Sequence, residues 1–134
     1  NANDYIFFHD VVEREQVMAA FSLLLKHPDA ESVAIHTDDF FLAKPPFRSA
    51  LIRSVTAGEM SDEIALLKKT GLSVQVIMGM EDDMLQIDYL DDQPFKAWKD
   101  RIYKLPGVGH YVPWDEPKTF NALLLAYLEA SFSH

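Results

Sequence analysis

The sequence predicts an α/β fold, in which a short parallel sheet with flanking helices follows a mostly helical segment. Helix and strand patterns alternate from residue 61 onward, whereas residues 5–58 are mostly helical and lack that alternation. About half of the 134 residues are apolar, which suits a globular, core-forming chain of one-domain size. We therefore place a boundary near Gly58, between a helical segment, residues 1–58, and an α/β segment, residues 59–134.

The helical segment contains two predicted helices. Residues 5–9 form a short apolar run that fits a strand or a loop anchor. Apolar residues recur at helical spacing over residues 12–26, and Pro28 stops that helix. Residues 32–37 have the composition of a strand or extended segment. The second helix is predicted by one apolar stripe, which consists of Phe47, Leu51, Ile52 and Val55.

The α/β segment begins with the clearest pattern in the chain. Ser61 is a good N-cap, and the two acidic residues after it favour the positive end of a helix dipole. Gly71 is a good C-terminal stop for that helix. Residues 73–78 then predict a strand that ends at Gly79.

Two further helices and a second strand are predicted after this turn. An amphipathic helix is marked by three residues at helical spacing, Phe95, Trp98 and Ile102. Residues 102–105 form a short extended segment. The last helix takes Asp115 as its N-cap and carries Pro117 in its first turn. The resulting order of helix, strand, helix, strand and helix is a βαβ unit with flanking helices.

Two residues with catalytic chemistry follow the two predicted strands. Asp82 ends the turn Gly-Met-Glu-Asp after the first strand, and His110 ends the turn Gly-Val-Gly-His after the second. Adjacent parallel strands lie about 5 Å apart, so these turns can bring a carboxylate to an imidazole. A His downstream of a post-strand Asp is the second half of a nucleophile–acid–His order. In that order the carboxylate holds the His tautomer and stabilises the imidazolium.

Structural alternatives exist for both residues. Asp82 could be an ordinary turn residue, and its neighbour Asp83 is a rival for the acid. His110 could be a structural loop histidine. His36 with two nearby aspartates could suggest a metal site, but the pattern lacks a fourth ligand. We expect neither a metal nor a cofactor.

Composition excludes several classes of function. The chain has no cysteine, which excludes disulfides, thiolate metal sites and cysteine nucleophiles. The net charge of −9 disfavours nucleic acid and anionic membranes as partners, since both require a basic face. No apolar run approaches the roughly 20 residues of a membrane span. The N-terminus lacks a secretory signal, so we expect a cytoplasmic protein, and we interpret Asn1 as a boundary inside a longer one.

Residues 61–130 resemble the C-terminal part of an α/β-hydrolase. The run Leu-Ser-Val-Gln-Val-Ile-Met-Gly-Met-Glu-Asp, residues 72–82, is similar to the family's penultimate strand, whose Gly-x-x-Asp turn delivers the triad acid. The run Gly-His-Tyr-Val-Pro-Trp-Asp-Glu-Pro, residues 109–117, is similar to its closing segment. The resemblance implies a partial α/β-hydrolase core in which Asp82 is the triad acid and His110 the triad base. Residues 5–58 then occupy the place of the family's helical cap.

The chain departs from the family pattern in two respects. Ser73 and Val74 stand where the family usually has a proline before this strand. More importantly, the family's earlier strands, oxyanion-hole donors and Gly-x-Ser-x-Gly nucleophile elbow are missing from these 134 residues. The resemblance thus implies part of a hydrolase for a small ester, amide or thioester substrate, inactive alone. The alternative is a non-catalytic binding or interaction module derived from the same fold.

Two parallel strands make a poor sheet by themselves. Parallel sheets are normally covered on both faces, and an uncovered strand edge pairs readily with other chains. We therefore expect this chain to associate either with the missing N-terminal half or with a second copy of itself.

Overall fold

The computed structural model describes residues 4–132, which divide into two compact units, one ending at Ser61 and the other beginning at Asp62. The first unit opens with a short 3-10 helix, Asp4–Phe8, where the sequence predicted a strand or loop anchor. Three α-helices follow: α1 (Arg14–Leu24), α2 (Ala30–Leu42) and α3 (Phe47–Thr56). The predicted helices over residues 12–26 and 47–55 are confirmed as α1 and α3.

The core of the first unit lies between α1 and α2. From α1 it takes Val17, Ala20 and Phe21, and from α2 it takes Val33 and Thr37, all of them buried. The Thr37 hydroxyl donates to the Val33 carbonyl at 2.7 Å, so its burial leaves no unpaired polar atom.

The prediction of a strand over residues 32–37 is wrong, because these residues lie inside α2. The carboxylate of Asp29 accepts from the Ser32 amide at 2.7 Å, and the Ser32 hydroxyl oxygen accepts from the Asp29 amide at 3.2 Å. This capping box starts a helix at Ala30. Val33 and Thr37 then fall on one buried face, one helical turn apart, so tertiary packing overrides their β-branched preference.

His36 makes the stability of the first unit depend on pH. Its ring stacks on Phe21 with centroids 5.3 Å apart. Burial lowers the pKa of His36 below its ordinary value of 6.5, partly opposed by the charge of Asp39. A base whose pKa is lowered in the folded state binds more protons when the chain is unfolded. Its contribution to the free energy of unfolding is therefore complete above the pKa of the unfolded state and is lost as the pH falls below that pKa.

We therefore expect the melting temperature to fall between about pH 8 and about pH 5, partly through this histidine. In His36→Phe, which keeps a ring against Phe21, the fall should be smaller. Thermal melts of the two proteins across this pH range measure the difference. Equal falls would contradict the assignment.

The second unit contains the sheet. Its elements are α4 (Glu63–Thr70), β1 (Val74–Gly79), β2 (Ala97–Leu105), α5 (Val112–Asp115) and α6 (Pro117–Phe132). The strands are parallel and pair from Val76 with Ile102 to Gly79 with Leu105. On one side, α6 is fastened to β1: Gln75 Nε2 donates to the Leu123 carbonyl, and the Tyr127 hydroxyl donates to the Ser73 carbonyl, both at 2.8 Å.

The predicted helix before the first strand and that strand itself are confirmed as α4 and β1. The N-cap of α4 is Asp62 rather than Ser61, because the Asp62 carboxylate accepts from the Ala65 amide at 3.0 Å. Gly71 ends the helix in the left-handed conformation, with φ of 63°. The chain then enters β1 one residue later than predicted, at Val74.

The predicted helix marked by Phe95, Trp98 and Ile102 is wrong, since most of this segment belongs to β2. Lys99 and Asp100 have positive φ values of 55° and 51°, and the strand bulges there. The bulge lets Trp98 pack against Tyr103 and Tyr127, with ring centroids 5.9 and 5.7 Å apart. Trp98, one of the three residues whose spacing suggested a helix, thus packs from a strand against an aromatic ring of α6.

Turns, rather than a helix, connect β1 to β2 over residues 80–96. Lys104 links β2 to this connecting segment, because its ammonium group donates hydrogen bonds to the carboxylates of Asp88 and Asp91 at 2.6 Å each. The hydrogen bond with Asp88 is the main reason that the pKa of Lys104 is raised.

Among residues 4–132 there is no helix with both the length and the apolar character needed to cross a membrane.

Candidate active site

The two turns that follow β1 and β2 are joined by backbone hydrogen bonds. The Met80 amide donates to the Leu105 carbonyl, and the Glu81 amide donates to the Val108 carbonyl, both at 2.9 Å. Pairing thus continues past the ends of the strands into the turns themselves. As a result, the residue after Glu81 is held beside the segment that follows Val108.

Gly79 allows this close approach. A Cβ at position 79 would lie 2.1 Å from the Gly109 carbonyl oxygen and 2.3 Å from that of Val108. No side chain fits there without moving the backbone of the second turn. Gly107 contributes differently, because its φ of 74° is a conformation that other residues rarely adopt.

Asp82 and His110 meet at this end of the sheet. The Nδ1 atom of His110 lies 2.8 Å from Oδ2 of Asp82. The Asp82 side chain is only 4% exposed, whereas that of His110 is 31% exposed. The structure thus brings together the two residues that the sequence singled out. Asp83, the rival for the acid, is exposed to solvent instead.

The carboxylate of Asp82 is fixed from both of its oxygens. Its Oδ1 atom accepts from the Met84 amide at 2.8 Å and from the Leu85 amide at 3.2 Å. Its Oδ2 atom is therefore left for the imidazole. A carboxylate only accepts hydrogen bonds, so a neutral His110 ring that binds it donates from Nδ1 and carries the lone pair on Nε2. That tautomer can take a proton from a third group.

Two further residues adjoin the histidine. The Tyr111 ring packs edge-on against the His110 ring with centroids 5.4 Å apart, and burial raises the pKa of its phenol. The Asp115 carboxylate accepts from the Gly109 amide at 2.9 Å, immediately before His110. The sequence assigned Asp115 to the cap of the last helix, and that assignment is wrong. An acidic residue shortly after the histidine was the available signal.

No metal site is evident in the part of the chain that the structure describes. No group of three or more His, Cys, Asp or Glu side chains within residues 4–132 is arranged to hold an ion. His36 stacks on Phe21, and Asp38 pairs with Arg14 at 2.6 Å.

Serine is also not placed as a nucleophile in the described residues. After β1 the chain continues as Gly-Met-Glu-Asp, and after β2 as Pro-Gly-Val-Gly-His, so neither strand leads into a serine turn. Most of the serines that the structure describes lie on helices, and Ser133 falls outside the described residues.

Sequence comparison identifies no relative. No protein-family model matches the chain, and no curated protein matches its sequence at a significant level.

Structural comparison identifies two solved structures of N-acyl homoserine lactonase AidH. One is a serine-to-glycine mutant complexed with N-hexanoyl homoserine lactone, with a TM-score of 0.84 and 14% identity over 98% of this chain. The other is a complex with N-butanoyl homoserine, with a TM-score of 0.85 and 13% identity over the whole of this chain. This chain spans 48% of the length of each. At such low identity the likeness shows the fold.

Proposed function

Starting from the partial α/β-hydrolase fold of this chain, we propose that it is the C-terminal portion of a hydrolase whose triad acid is Asp82 and whose base is His110. The observation that carries the proposal is the 2.8 Å contact between His110 Nδ1 and Asp82 Oδ2 beyond the carboxyl ends of two parallel strands. The helical first unit, which the sequence divides off near Gly58, serves as the cap. The nucleophile belongs to a part of the protein that precedes this chain.

The proposed chemistry follows from the tautomer. His110 Nε2 removes the proton from a serine hydroxyl as its oxygen attacks the substrate carbonyl, and the ring becomes an imidazolium. The Asp82 carboxylate holds Nδ1–H and stabilises that positive charge. As the tetrahedral intermediate collapses, the ester C–O bond breaks and the same proton passes from Nε2 to the leaving alkoxide. Nε2 then takes a proton from a water molecule whose oxygen attacks the acyl-serine, and returns that proton to the serine oxygen as the acid is released. The greater exposure of the imidazole, relative to the buried carboxylate, suits a group that must exchange protons with a partner.

The bond cleaved is proposed to be an ester-type bond of a small apolar acyl compound. Its first candidate is an N-acyl homoserine lactone, because the two structural neighbours are complexed with such a lactone and with an acyl homoserine. Lactone, ester and thioester carbonyls all pass through the same kind of tetrahedral intermediate, so one triad serves for each.

The strands support association with a further part of the protein. Strand β1, Val-Gln-Val-Ile-Met-Gly, carries no charged residue, as is usual for strands inside parallel sheets. Strand β2 has two features that prevent edge strands from pairing with other chains, namely a bulge and several charged side chains. These charged residues are Lys99, Asp100, Arg101 and Lys104. We therefore place the missing half of the sheet against β1, with a second copy of this chain as its substitute when that half is absent.

The experiment that tests the proposal is to express the whole reading frame to which this chain belongs. We expect a Gly-x-Ser-x-Gly sequence upstream of Asn1, and hydrolysis of N-hexanoyl homoserine lactone or of a p-nitrophenyl ester that His110→Ala abolishes. A reading frame without a nucleophile elbow, whose product binds the lactone without cleaving it, would instead favour the binding module. Full turnover in His110→Ala would contradict the proposed base.

This chain by itself is expected to show no esterase turnover. The chain contains the proposed acid, Asp82, and the proposed base, His110, in contact with each other. Its sequence has no Gly-x-Ser-x-Gly turn that would place a serine nucleophile beside them. Release of p-nitrophenol from a p-nitrophenyl ester measures this directly, with His110→Ala of the same chain as the control. A rate well above that of the control would show that one of the described serines acts as the nucleophile.

A further inference from the structure

The Asp115 carboxylate accepts a hydrogen bond from the Gly109 amide, in the segment that leads into His110. We propose that Asp115 is a positioning residue for the catalytic histidine, acting through the Gly109 amide. This inference rests on the proposed function, because it assigns Asp115 a part in the same reaction. Asp115 does not touch the reacting atoms in this scheme, and its effect passes through the backbone.

The geometry begins with a single helical turn after the histidine. The amides of Trp114 and Asp115 both donate to the Tyr111 carbonyl, at 2.9 and 3.0 Å, and form helix α5. This turn folds the chain back, so that Asp115 Oδ2 accepts from the Gly109 amide at 2.9 Å. His110 therefore lies inside a loop that its own following residues close.

The peptide unit that contains the Gly109 amide is also held by a second partner. The carbonyl of the buried Val108 accepts from the Glu81 amide at 2.9 Å, which ties the histidine turn to the residue preceding Asp82. The Val108 carbonyl and the Gly109 amide belong to the same peptide unit, so Glu81 and Asp115 hold that unit from its two sides, one residue before His110. A rotation of the Val108–Gly109 peptide would move His110 relative to Asp82, and the contact with Asp115 opposes that rotation.

The location of Asp115 argues against a role in helix stability. Helix α5 is a single turn of four residues, so Asp115 lies in both its first and its last turn and the helix dipole does not account for the charge. Helix α6 begins at Pro117, so its N-cap position is Glu116 and not Asp115. Helix capping therefore does not account for a carboxylate at this place, whereas the contact with Gly109 does.

Three variants of the whole hydrolase test the proposal. Asp115→Leu removes the acceptor at similar volume, Asp115→Asn keeps an oxygen acceptor without the charge, and Glu116→Gln is the matched control on a neighbouring carboxylate. We expect Asp115→Leu to lower kcat by about 100-fold with KM changed by less than a few-fold, since a small displacement of a catalytic group costs about that much. Asp115→Asn should restore most of the rate, and Glu116→Gln should retain it.

A spectroscopic readout on this chain separates positioning from general stability. The Gly109 amide proton should resonate downfield in the unmodified chain and in Asp115→Asn, and should move upfield in Asp115→Leu. The proposal is overturned if Asp115→Leu keeps its kcat or if Asp115→Asn loses as much rate as Asp115→Leu. It is also overturned if the chemical shift of the Gly109 amide proton is unchanged in both variants. Absence of turnover in the unmodified hydrolase would count against the proposed function, whereas the Gly109 resonance would still decide the contact.

Discussion

Replacing Asp82 with asparagine in the proposed hydrolase should lower kcat by about 10⁴-fold, the loss that follows when a triad histidine is held in the wrong tautomer. The side-chain oxygen of the new asparagine can still accept from the amides of Met84 and Leu85, as Asp82 Oδ1 does now. Its NH2 group then faces His110 Nδ1 and donates to it. The imidazole proton moves to Nε2, which can no longer act as a base. KM should change little, because the substrate contacts are untouched.

The matched control for this variant is Asp83→Asn. It removes one negative charge from the adjacent residue, but Asp83 is exposed whereas Asp82 is the residue in contact with His110. We expect its kcat to stay within a few-fold of the unmodified enzyme. Steady-state kinetics of the two variants measure the contrast, and equal losses would mean that charge near the site matters rather than the hydrogen bond to the imidazole.

Gly79→Ala should be the most destabilising small substitution in the second unit. The new methyl group would overlap the carbonyl oxygens of Val108 and Gly109, and these are backbone atoms that cannot rotate aside. Relieving the overlap requires separating the two turns, which breaks the pairing of Glu81 with Val108. We expect the free energy of unfolding to fall by about 3 kcal/mol, at the upper end of the usual cost of overpacking.

Gly71→Ala provides the matched control for steric overlap. A Cβ at that position would have nothing within 4 Å, but the residue has φ of 63°. The substitution should therefore cost about 1 kcal/mol, the usual penalty for a left-handed conformation with a side chain. Urea denaturation followed by circular dichroism measures both variants. Gly79, unlike Gly71, does not have a positive φ, so a loss at position 79 no larger than that at position 71 would contradict the predicted steric overlap.

The sequence predicted those parts of the structure whose signals are local. Strand β1 has a run of β-branched residues ending in glycine, and α4 has a cap and a left-handed stop within ten residues. Asp82 and His110 could be predicted as a pair because the turns of neighbouring parallel strands meet at one edge of the sheet. Each of these signals depends on a few adjacent residues and one general rule of topology.

The errors arose where distant contacts decide the conformation. Residues 32–37 are rich in β-branched side chains, yet burial of Val33 and Thr37 against α1 favours a helix there. The capping box at Asp29 is a local signal for the start of that helix, and the sequence prediction missed it. The spacing of Trp98 and Ile102 suits a helix, yet a bulge and contacts with α6 place them on a strand. The bond from Asp115 to Gly109 depends on a helical turn that no local motif predicts.

We propose that Asp82 holds His110 in the tautomer required of a general base, and this tautomer can be measured on the chain itself. A long-range ¹H–¹⁵N correlation spectrum of the ¹⁵N-histidine-labelled protein reports the protonation of both ring nitrogens. The His110 signals are assigned as those missing from His110→Ala. We expect a protonated Nδ1 and an unprotonated Nε2, with the proton moved to Nε2 in Asp82→Asn. A protonated Nε2 in the unmodified chain, unchanged in Asp82→Asn, would contradict it.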